Sequence, residues 1–183
     1  MCGISGFISK KKIELSNIKK TLFLMKNRGP DNQNYFLGKV NEFQIGLLHS
    51  RLSIIDIDKR SNQPFEEGLY KLIFNGEIYN FKEIKNNLIK KNYKFKTNSD
   101  TEVLLKSYIE YGEDCVKQFD GMWSFCIWDY KKKQMFLSRD IFGEKPLYYF
   151  HSNNRFVFGS EIKFLHSLSK ENFYVNRKKI NDY

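Results

Sequence analysis

Apolar residues recur along this chain at two spacings, and each spacing predicts a different element. Intervals of three and four residues predict an amphipathic helix over 15–25, with its apolar face at Leu15, Ile18, Leu22 and Met25. Similar patterns predict helices over 80–91, 100–111 and 161–168. Short apolar or alternating runs bounded by turn residues predict strands near 4–8, 35–37, 44–49, 69–74, 123–129, 134–139, 147–151 and 155–159. This order of strands, helices and further strands favours an α+β domain with helices layered on antiparallel sheets.

Length and composition narrow the class of protein. The 183 residues suit one domain, and 41% of them are hydrophobic, which is typical of a folded chain. No apolar run approaches the about 18 residues that a membrane helix needs, and none has the form of a signal peptide. The three cysteines are odd in number and lack a paired metal spacing, so we expect no metal site and a reduced, cytoplasmic protein. The polar, basic stretch 169–183 is expected to be a linker or a frayed end.

The formal net charge of +10 raises the question of nucleic-acid binding. The chain has 25 Lys and 6 Arg, and the lysines are scattered. Recognition of phosphates and bases favours Arg, and stacking platforms need exposed aromatic residues among the charges. Most aromatic residues here lie within apolar runs such as 125–128. We therefore expect a solvated, lysine-rich surface and no nucleic-acid partner.

The second residue is a candidate nucleophile. If Met1 is removed, Cys2 carries a thiol and a free α-amine, and unperturbed groups of these two kinds have pKa values of about 8.5 and about 7.7–8.0. An N-terminal nucleophile can use its own amine as the base. Gly3 would let a substrate approach the main chain. The alternative is a cysteine that acts only as a small hydrophobic residue.

Two central segments hold further candidates. Arg51 follows an apolar strand, and it could pair with an internal carboxylate or hold the carboxylate of a ligand. Asn75 and Gly76 could form a simple turn between a strand and a helix. Alternatively, the Asn75 amide and the Gly76 N–H could converge as the two donors of an oxyanion hole.

Two later segments have charged residues with competing interpretations. Ser99 and Glu102 precede an apolar helical pattern and fit a capping box. Asp100 could then bind a ligand ammonium or simply favour the first turn of the helix. The segment 139–149 is predicted to be a turn between hairpin strands, and its charges could be structural or face a partner domain.

Taken together and in order, these segments resemble the class II glutamine amidotransferases, and most of all the glutaminase domain of asparagine synthetase. The matching stretches are MCGISGF, RGPD, RLSIID, NGEIYN, SDTE, GMWSF, RDIFGEKPLYY and FGSEIK. They extend from residue 1 to about residue 165. The resemblance implies the four-layer αββα sandwich of N-terminal-nucleophile hydrolases, with two antiparallel sheets between helices. It also implies a glutaminase domain over 1–168 and a linker over 169–183.

The resemblance also implies roles for individual residues in the hydrolysis of glutamine to glutamate and ammonia. Cys2 corresponds to the nucleophile, and Arg51 to the residue that holds the α-carboxylate of glutamine. Asn75 and Gly76 correspond to the oxyanion hole. The positions that hold the α-amino end of glutamine correspond to Glu77 and Asp100. A zwitterionic amino acid needs such a combination of one fixed cation and one or two fixed anions.

The chain departs from the family pattern in two places. Asn27 stands where the family usually has His before the RGPD segment, and we expect little effect on the chemistry. No SGGxDS-type ATP-binding loop is present. We therefore expect a synthetase domain, in the same polypeptide or as a separate subunit, to bind ATP and Mg, with no cofactor in this domain.

Two alternative functions stay open at this point. Another amidotransferase of the same branch would use a different acceptor, for example in cell-surface sugar modification. A catalytically silent domain would serve assembly instead. A homodimer is compatible with any of these functions.

Overall fold

The computed structural model describes residues 1–53, 58–169 and 171. Nine strands lie in this part of the chain: β1 Gly3–Ser9, β2 Asn32–Val40, β3 Phe43–Arg51, β4 Phe65–Glu67, β5 Tyr70–Ile78, β6 Gly121–Asp129, β7 Gln134–Arg139, β8 Tyr148–Ser152 and β9 Arg155–Gly159. They form a five-stranded sheet in the order β2-β3-β1-β9-β8 and a four-stranded sheet in the order β4-β5-β6-β7. Every neighbouring pair is antiparallel.

Helices cover the outer face of each sheet. The described residues form four α-helices, α1 Leu15–Met25, α2 Phe81–Lys90, α3 Asp100–Tyr111 and α4 Ile162–Ser169, and two 3₁₀ turns, Lys59–Ser61 and Gly112–Gln118. Helices α1 and α4 pack against each other and against the five-stranded sheet, whereas α2 and α3 pack together and α3 contacts β5. None of these helices is long and apolar enough to cross a bilayer.

Three separate apolar clusters show that the elements are stacked in four layers. One cluster joins α1 and α4 to the outer face of the five-stranded sheet, through residues such as Ile18 and Phe7. A second joins α2 and α3 to the four-stranded sheet, for example through Leu88 and Phe74. The third contains residues of both sheets and lies between them: Ile4, Ile45, Leu47, Ile73, Cys126, Trp128 and Phe158. The expected αββα arrangement is confirmed.

The elements follow the sequence patterns closely, although several of them differ at their ends and one short strand is added. Helices α1 and α3 have the predicted bounds, and the predicted helix over 80–91 is α2 without its end residues. The strand predicted over 69–74 continues to Ile78, so Asn75 and Gly76 lie inside β5 and the interpretation of this pair as a simple turn is wrong. The short strand β4 was not predicted, since its three residues are too few to show an alternation. Most of the stretch 169–183 lies outside the described residues.

Candidate active site

Strand alternation directs the candidate side chains into the space between the two sheets. On β3, Ile45 and Leu47 belong to the inter-sheet cluster, so Arg51 points to the same side because side chains alternate with a period of two. On β5, Ile73 belongs to that cluster, and Asn75 follows it on the same face. Glu77 is the next residue on that face. The polar residues therefore lie where the apolar filling between the sheets ends.

The candidates meet in one open cleft of about 610 Å³, a volume that includes its solvent-filled mouth. The lining residues are Met1, Cys2, Arg51, Leu52, Ser61, Gln63, Phe74, Asn75, Gly76, Glu77, Ser99, Asp100, Thr101, Met122 and Lys145. All six site residues expected from the sequence are among them. They come from the segment before β1, the end of β3, the C-terminal half of β5 and the start of α3.

Cys2 lies immediately before β1, against the main chain that follows β3. Its Sγ is 3.3 Å from the N atom and 3.5 Å from the O atom of Leu52. Burial raises the pKa of the Cys2 thiol, while the Leu52 hydrogen bond and the charges of the N-terminus and Arg51 act in the opposite direction. The Cys2 main chain is held by Arg28, whose Nε donates to its carbonyl at 2.9 Å. The thiol is therefore fixed at the cleft and next to cationic groups.

Arg51 brings a buried cation to the cleft. Its side chain is only 5% exposed. Its Nη1 donates to Oδ1 of Asn62 at 2.7 Å and to the carbonyl of Asp58 at 3.1 Å. These two contacts are to neutral oxygens, and they orient the guanidinium. A planar fork of this kind suits a carboxylate ligand.

The Gly76 N–H faces an edge of β5 that has no partner strand at that point. Strand β4 pairs with β5 only from Tyr70 to Leu72. Beyond this pairing, the Phe74 N–H donates to Oε1 of Gln63, and the Ile78 N–H donates to Oδ2 of Asp100. Because main-chain groups alternate along a strand, the Gly76 N–H points to the same edge, between these two. That edge opens into the cleft.

Asn75 supplies a second donor beside Gly76. Its side chain is 1% exposed, and its Nδ2 has no hydrogen-bond acceptor among the residues that the structure describes. A buried amide without an acceptor is costly, so such a group is typical of a site that receives a ligand. At Gly76 a Cβ would lie 2.3 Å from the Met122 carbonyl oxygen on the paired strand. Only glycine allows β5 and β6 to pair so closely here.

Two carboxylates, those of Asp100 and Glu77, also line the cleft. Asp100 is the first residue of α3 and is 4% exposed. Burial, together with the charge of Glu77, raises the pKa of Asp100 to about 6, although the Ile78 N–H favours its ionised form. An ammonium group bound between them would relieve this cost.

The predicted capping box is right for Ser99 and wrong for Glu102. The Ser99 Oγ accepts from the N–H of Thr101, as an N-cap residue does. The Glu102 carboxylate does not close the box with the Ser99 N–H, which donates to Oγ1 of Thr97. Instead, Glu102 accepts from the N–H and the hydroxyl of Thr97 and from the N–H of Lys96. The buried glutamate thus fixes the loop that leads into α3.

Arg139 and Asp140 of the segment 139–149 have structural roles. Asp140 accepts from the N–H groups of Trp123, Glu144 and Lys145, and Arg139 donates to the carbonyls of Gly143 and Lys145. These bonds close the turn between β7 and β8. Lys145 also reaches the cleft, where its Nζ lies 3.5 Å from the Met1 Sδ. The structural alternative therefore accounts for Arg139 and Asp140.

Sequence reasoning missed two buried residues beside the site, His49 and Gln63. Each one contacts the main chain of Phe74. His49 has the inward parity of Arg51 in β3, which is a signal that the alternation alone could have given. Nothing in the sequence marks Gln63. In the described parts of the chain, no three His, Cys, Asp or Glu side chains are close enough together to hold a metal ion.

Comparisons with known proteins agree with this geometry. The family model described as "Glutamine amidotransferase domain" matches residues 1–183. A Methanocaldococcus jannaschii protein, provisionally named glutamine-hydrolysing asparagine synthetase 2, is 41% identical over 180 residues, covering 89% of this chain and 34% of its own length. The glutamine-hydrolysing asparagine synthetase 3 of Bacillus subtilis is 39% identical, covering 89% of this chain and 27% of its own length. The chain thus spans about a third or less of these relatives.

A solved structure shows the same fold. The glutamine phosphoribosylpyrophosphate amidotransferase from B. subtilis superposes with a TM-score of 0.74 over 92% of this chain and 44% of its own, at 18% identity. Together with the family match and the sequence relatives, this likeness confirms the resemblance that the eight sequence segments indicated. The chain belongs to the glutamine amidotransferase domain family and is homologous to the glutaminase part of glutamine-hydrolysing asparagine synthetases.

Proposed function

We propose that this domain hydrolyses glutamine to glutamate and ammonia at the cleft that contains Cys2. One observation carries the proposal: the cleft combines a thiol, a buried cation, two carboxylates and two hydrogen-bond donors. Arg51 is the group for the α-carboxylate of glutamine, and Asp100 and Glu77 are the groups for its α-ammonium. The side-chain amide of the substrate would then extend toward Cys2. This pattern of charges complements a zwitterionic amino acid.

The proposed chemistry is a two-step acyl transfer. After removal of Met1, the α-amine of Cys2 accepts the thiol proton, directly or through a water molecule, and Sγ attacks the side-chain carbonyl carbon of glutamine. The Asn75 amide and the Gly76 N–H stabilise the oxyanion that forms. The C–N bond then breaks, and the nitrogen takes the proton and leaves as ammonia. Water hydrolyses the thioester to glutamate and restores the thiol.

We further propose that the ammonia is used by a synthetase domain. The relatives that carry this domain are about three to four times as long and are named as asparagine synthetases. Asparagine synthesis is therefore the proposed overall reaction, with ATP and Mg bound outside residues 1–183. The proposed glutaminase domain is 1–168, and the proposed compartment is the cytoplasm. Three free cysteines support this compartment.

The test is the intact mass of the purified chain after incubation with a glutamine-analogue affinity label. Loss of Met1 together with a single adduct is the expected result, and the adduct should disappear in Cys2→Ala. The matched control is Cys115→Ala, because Cys115 is fully buried in the cluster under α3 and lies away from the cleft. An adduct that persists in Cys2→Ala, or a chain without Met1 that takes no label and releases no glutamate, would refute the proposal.

A further inference from the structure

Two buried side chains hold the main chain of Phe74, the residue before the proposed oxyanion hole. The Phe74 N–H donates to Oε1 of Gln63 at 2.6 Å. The Phe74 carbonyl lies 3.2 Å from Nε2 of His49. These are the two groups that β4 would have paired if it extended further. Gln63 and His49 thus take the place of a missing strand partner at this point.

The tautomer of His49 follows from this contact. A carbonyl oxygen only accepts, so the His49 Nε2 carries the hydrogen and donates it. Its Nδ1 is then unprotonated and can only accept, and no group in the described structure donates a hydrogen bond to it. His49 is completely buried, and this burial lowers its pKa to about 3. The imidazole is therefore neutral at physiological pH and available as a fixed donor.

The hydrogen bond from His49 joins the two sheets at the site. His49 is on β3, two residues before Arg51, in the five-stranded sheet. Phe74 is on β5, next to Asn75, in the four-stranded sheet. The apolar cluster between the sheets ends near this level, so packing alone does not set the distance between β3 and β5 here. The directional hydrogen bond from His49 to the Phe74 carbonyl sets this distance.

Gln63 accepts from the N–H of the same residue, on the same edge of β5. Its side chain is buried, and its Nε2 is 3.4 Å from Oγ1 of Thr101 in the first turn of α3. Gln63 therefore links β5 to the helix that begins with Asp100. The Gly76 N–H lies two residues beyond the Phe74 N–H on the same edge. A rotation of the Phe74 peptide would turn the next donors of the strand away from the cleft.

We propose that His49 and Gln63 are positioning residues that hold the Phe74 main chain, so that the Asn75 amide and the Gly76 N–H stay aimed at the reacting carbonyl. This inference rests on the proposed glutaminase function. It assigns neither residue a contact with substrate. We call the two hydrogen bonds from His49 and Gln63 to the Phe74 main chain the clamp. The clamp matters most in the transition state, because the oxyanion exists only there, whereas Arg51 and Asp100 bind the substrate in its ground state.

The experiment compares His49→Leu with His49→Gln, whose Nε2 amide can replace the imidazole donor. Initial rates of glutamate release are divided by the concentration of sites that take the glutamine-analogue label, so that unfolded protein does not count. We expect His49→Leu to lower kcat by about tenfold or more, since small misplacements of catalytic groups cost this much. KM should stay within about twofold. His49→Gln should recover most of the loss without changing the pH profile of kcat.

Two further variants keep the test independent of folding. Gln63→Leu removes the other half of the clamp and should also lower kcat more than it raises KM. Ile45→Val is the matched control, because Ile45 lies on the same face of β3 within the apolar cluster. Its aliphatic side chain takes no part in the two hydrogen bonds to Phe74. Its kcat should equal that of the wild type.

Three outcomes would overturn the inference. His49→Leu and Gln63→Leu could both retain the wild-type kcat. The loss could fall on KM alone, which would indicate a role in substrate binding. His49→Gln could be as inactive as His49→Leu, with an altered pH profile, which would indicate acid–base catalysis by the imidazole. A wild-type chain that neither takes the label nor releases glutamate contradicts the proposed function instead, so the two failures are distinguishable.

Discussion

Asp100→Asn should stabilise the fold at neutral pH while it weakens glutamine binding. Asp100 is 4% exposed, and its carboxylate lies near the charge of Glu77. The amide has nearly the same shape, and its oxygen can still accept from the Ile78 N–H. The substitution thus removes a buried charge and leaves the local packing in place. It therefore separates the effect of the Asp100 charge on the free energy of unfolding from its effect on glutamine binding.

The size of the effect follows from the pKa of Asp100. Its pKa is about 6 in the folded chain against 3.8 for an unperturbed Asp carboxyl. At about 1.4 kcal/mol per pKa unit, ionised Asp100 costs the fold about 3 kcal/mol at pH 8. Because the pKa of Asp100 is higher in the folded chain, the folded chain binds more protons than the unfolded chain at pH values between the two pKa values. The cost therefore shrinks as the pH falls, to about half of this value at pH 5.

Urea denaturation of the wild type and Asp100→Asn at pH 8 and pH 5 measures this difference. We expect the variant to be more stable by up to about 3 kcal/mol at pH 8 and by about half of that at pH 5. Its kcat/KM for glutamine should fall roughly tenfold to a hundredfold, as expected when a charged hydrogen-bond partner is lost. A variant that is no more stable than the wild type at pH 8, or whose advantage does not change with pH, would refute the reasoning.

Three further predictions use the same assays. His49→Gln should reduce the acid sensitivity of the fold. The pKa of His49 is about 3 in the folded chain and 6.5 for an unperturbed imidazole, so the wild type alone should lose about 2 kcal/mol of unfolding free energy from this group between pH 8 and pH 5. Equal losses in both proteins would contradict this. Arg51→Lys should raise the KM for glutamine by about tenfold or more, with a smaller change in kcat, because a point charge cannot replace the planar fork; an unchanged KM would exclude a carboxylate contact. Gly76→Ala should lower the free energy of unfolding, measured from the urea midpoint, by about 1–3 kcal/mol, and it should also lower kcat. The reason is that its Cβ would meet the Met122 carbonyl oxygen at 2.3 Å and push β5 away from β6. A fully active and equally stable variant would show that the strands can separate without cost.

Local patterns in the sequence determined most of the secondary structure and the candidate residues. The spacing of Leu15, Ile18, Leu22 and Met25 fixed α1, and the apolar alternation located eight of the strands. These signals are local because helix and strand periodicities depend on which side of one element is buried. The ordered motifs indicated the family and the six site residues, and all six line the cleft.

Only the tertiary structure decided how the central strand is used. In the sequence, Asn75 and Gly76 have the composition of a turn, and local chemistry favours one. The structure places them in β5 because β6 pairs along its whole length, from Tyr70 to Ile78. The early end of β4 then leaves the other edge of β5 open. Whether a strand edge is paired or free depends on a distant segment, so no window of the sequence could reveal it.

The contacts of buried polar groups were likewise set by the fold. Glu102 fits a capping box by its spacing, yet its carboxylate binds the loop residues Lys96 and Thr97. His49 reaches across to Phe74, which is 25 residues away in the sequence and in the other sheet. A buried polar group must find a partner, and the sequence states that need. Which partner it finds depends on how the layers stack, and that is decided by the packing of the whole domain.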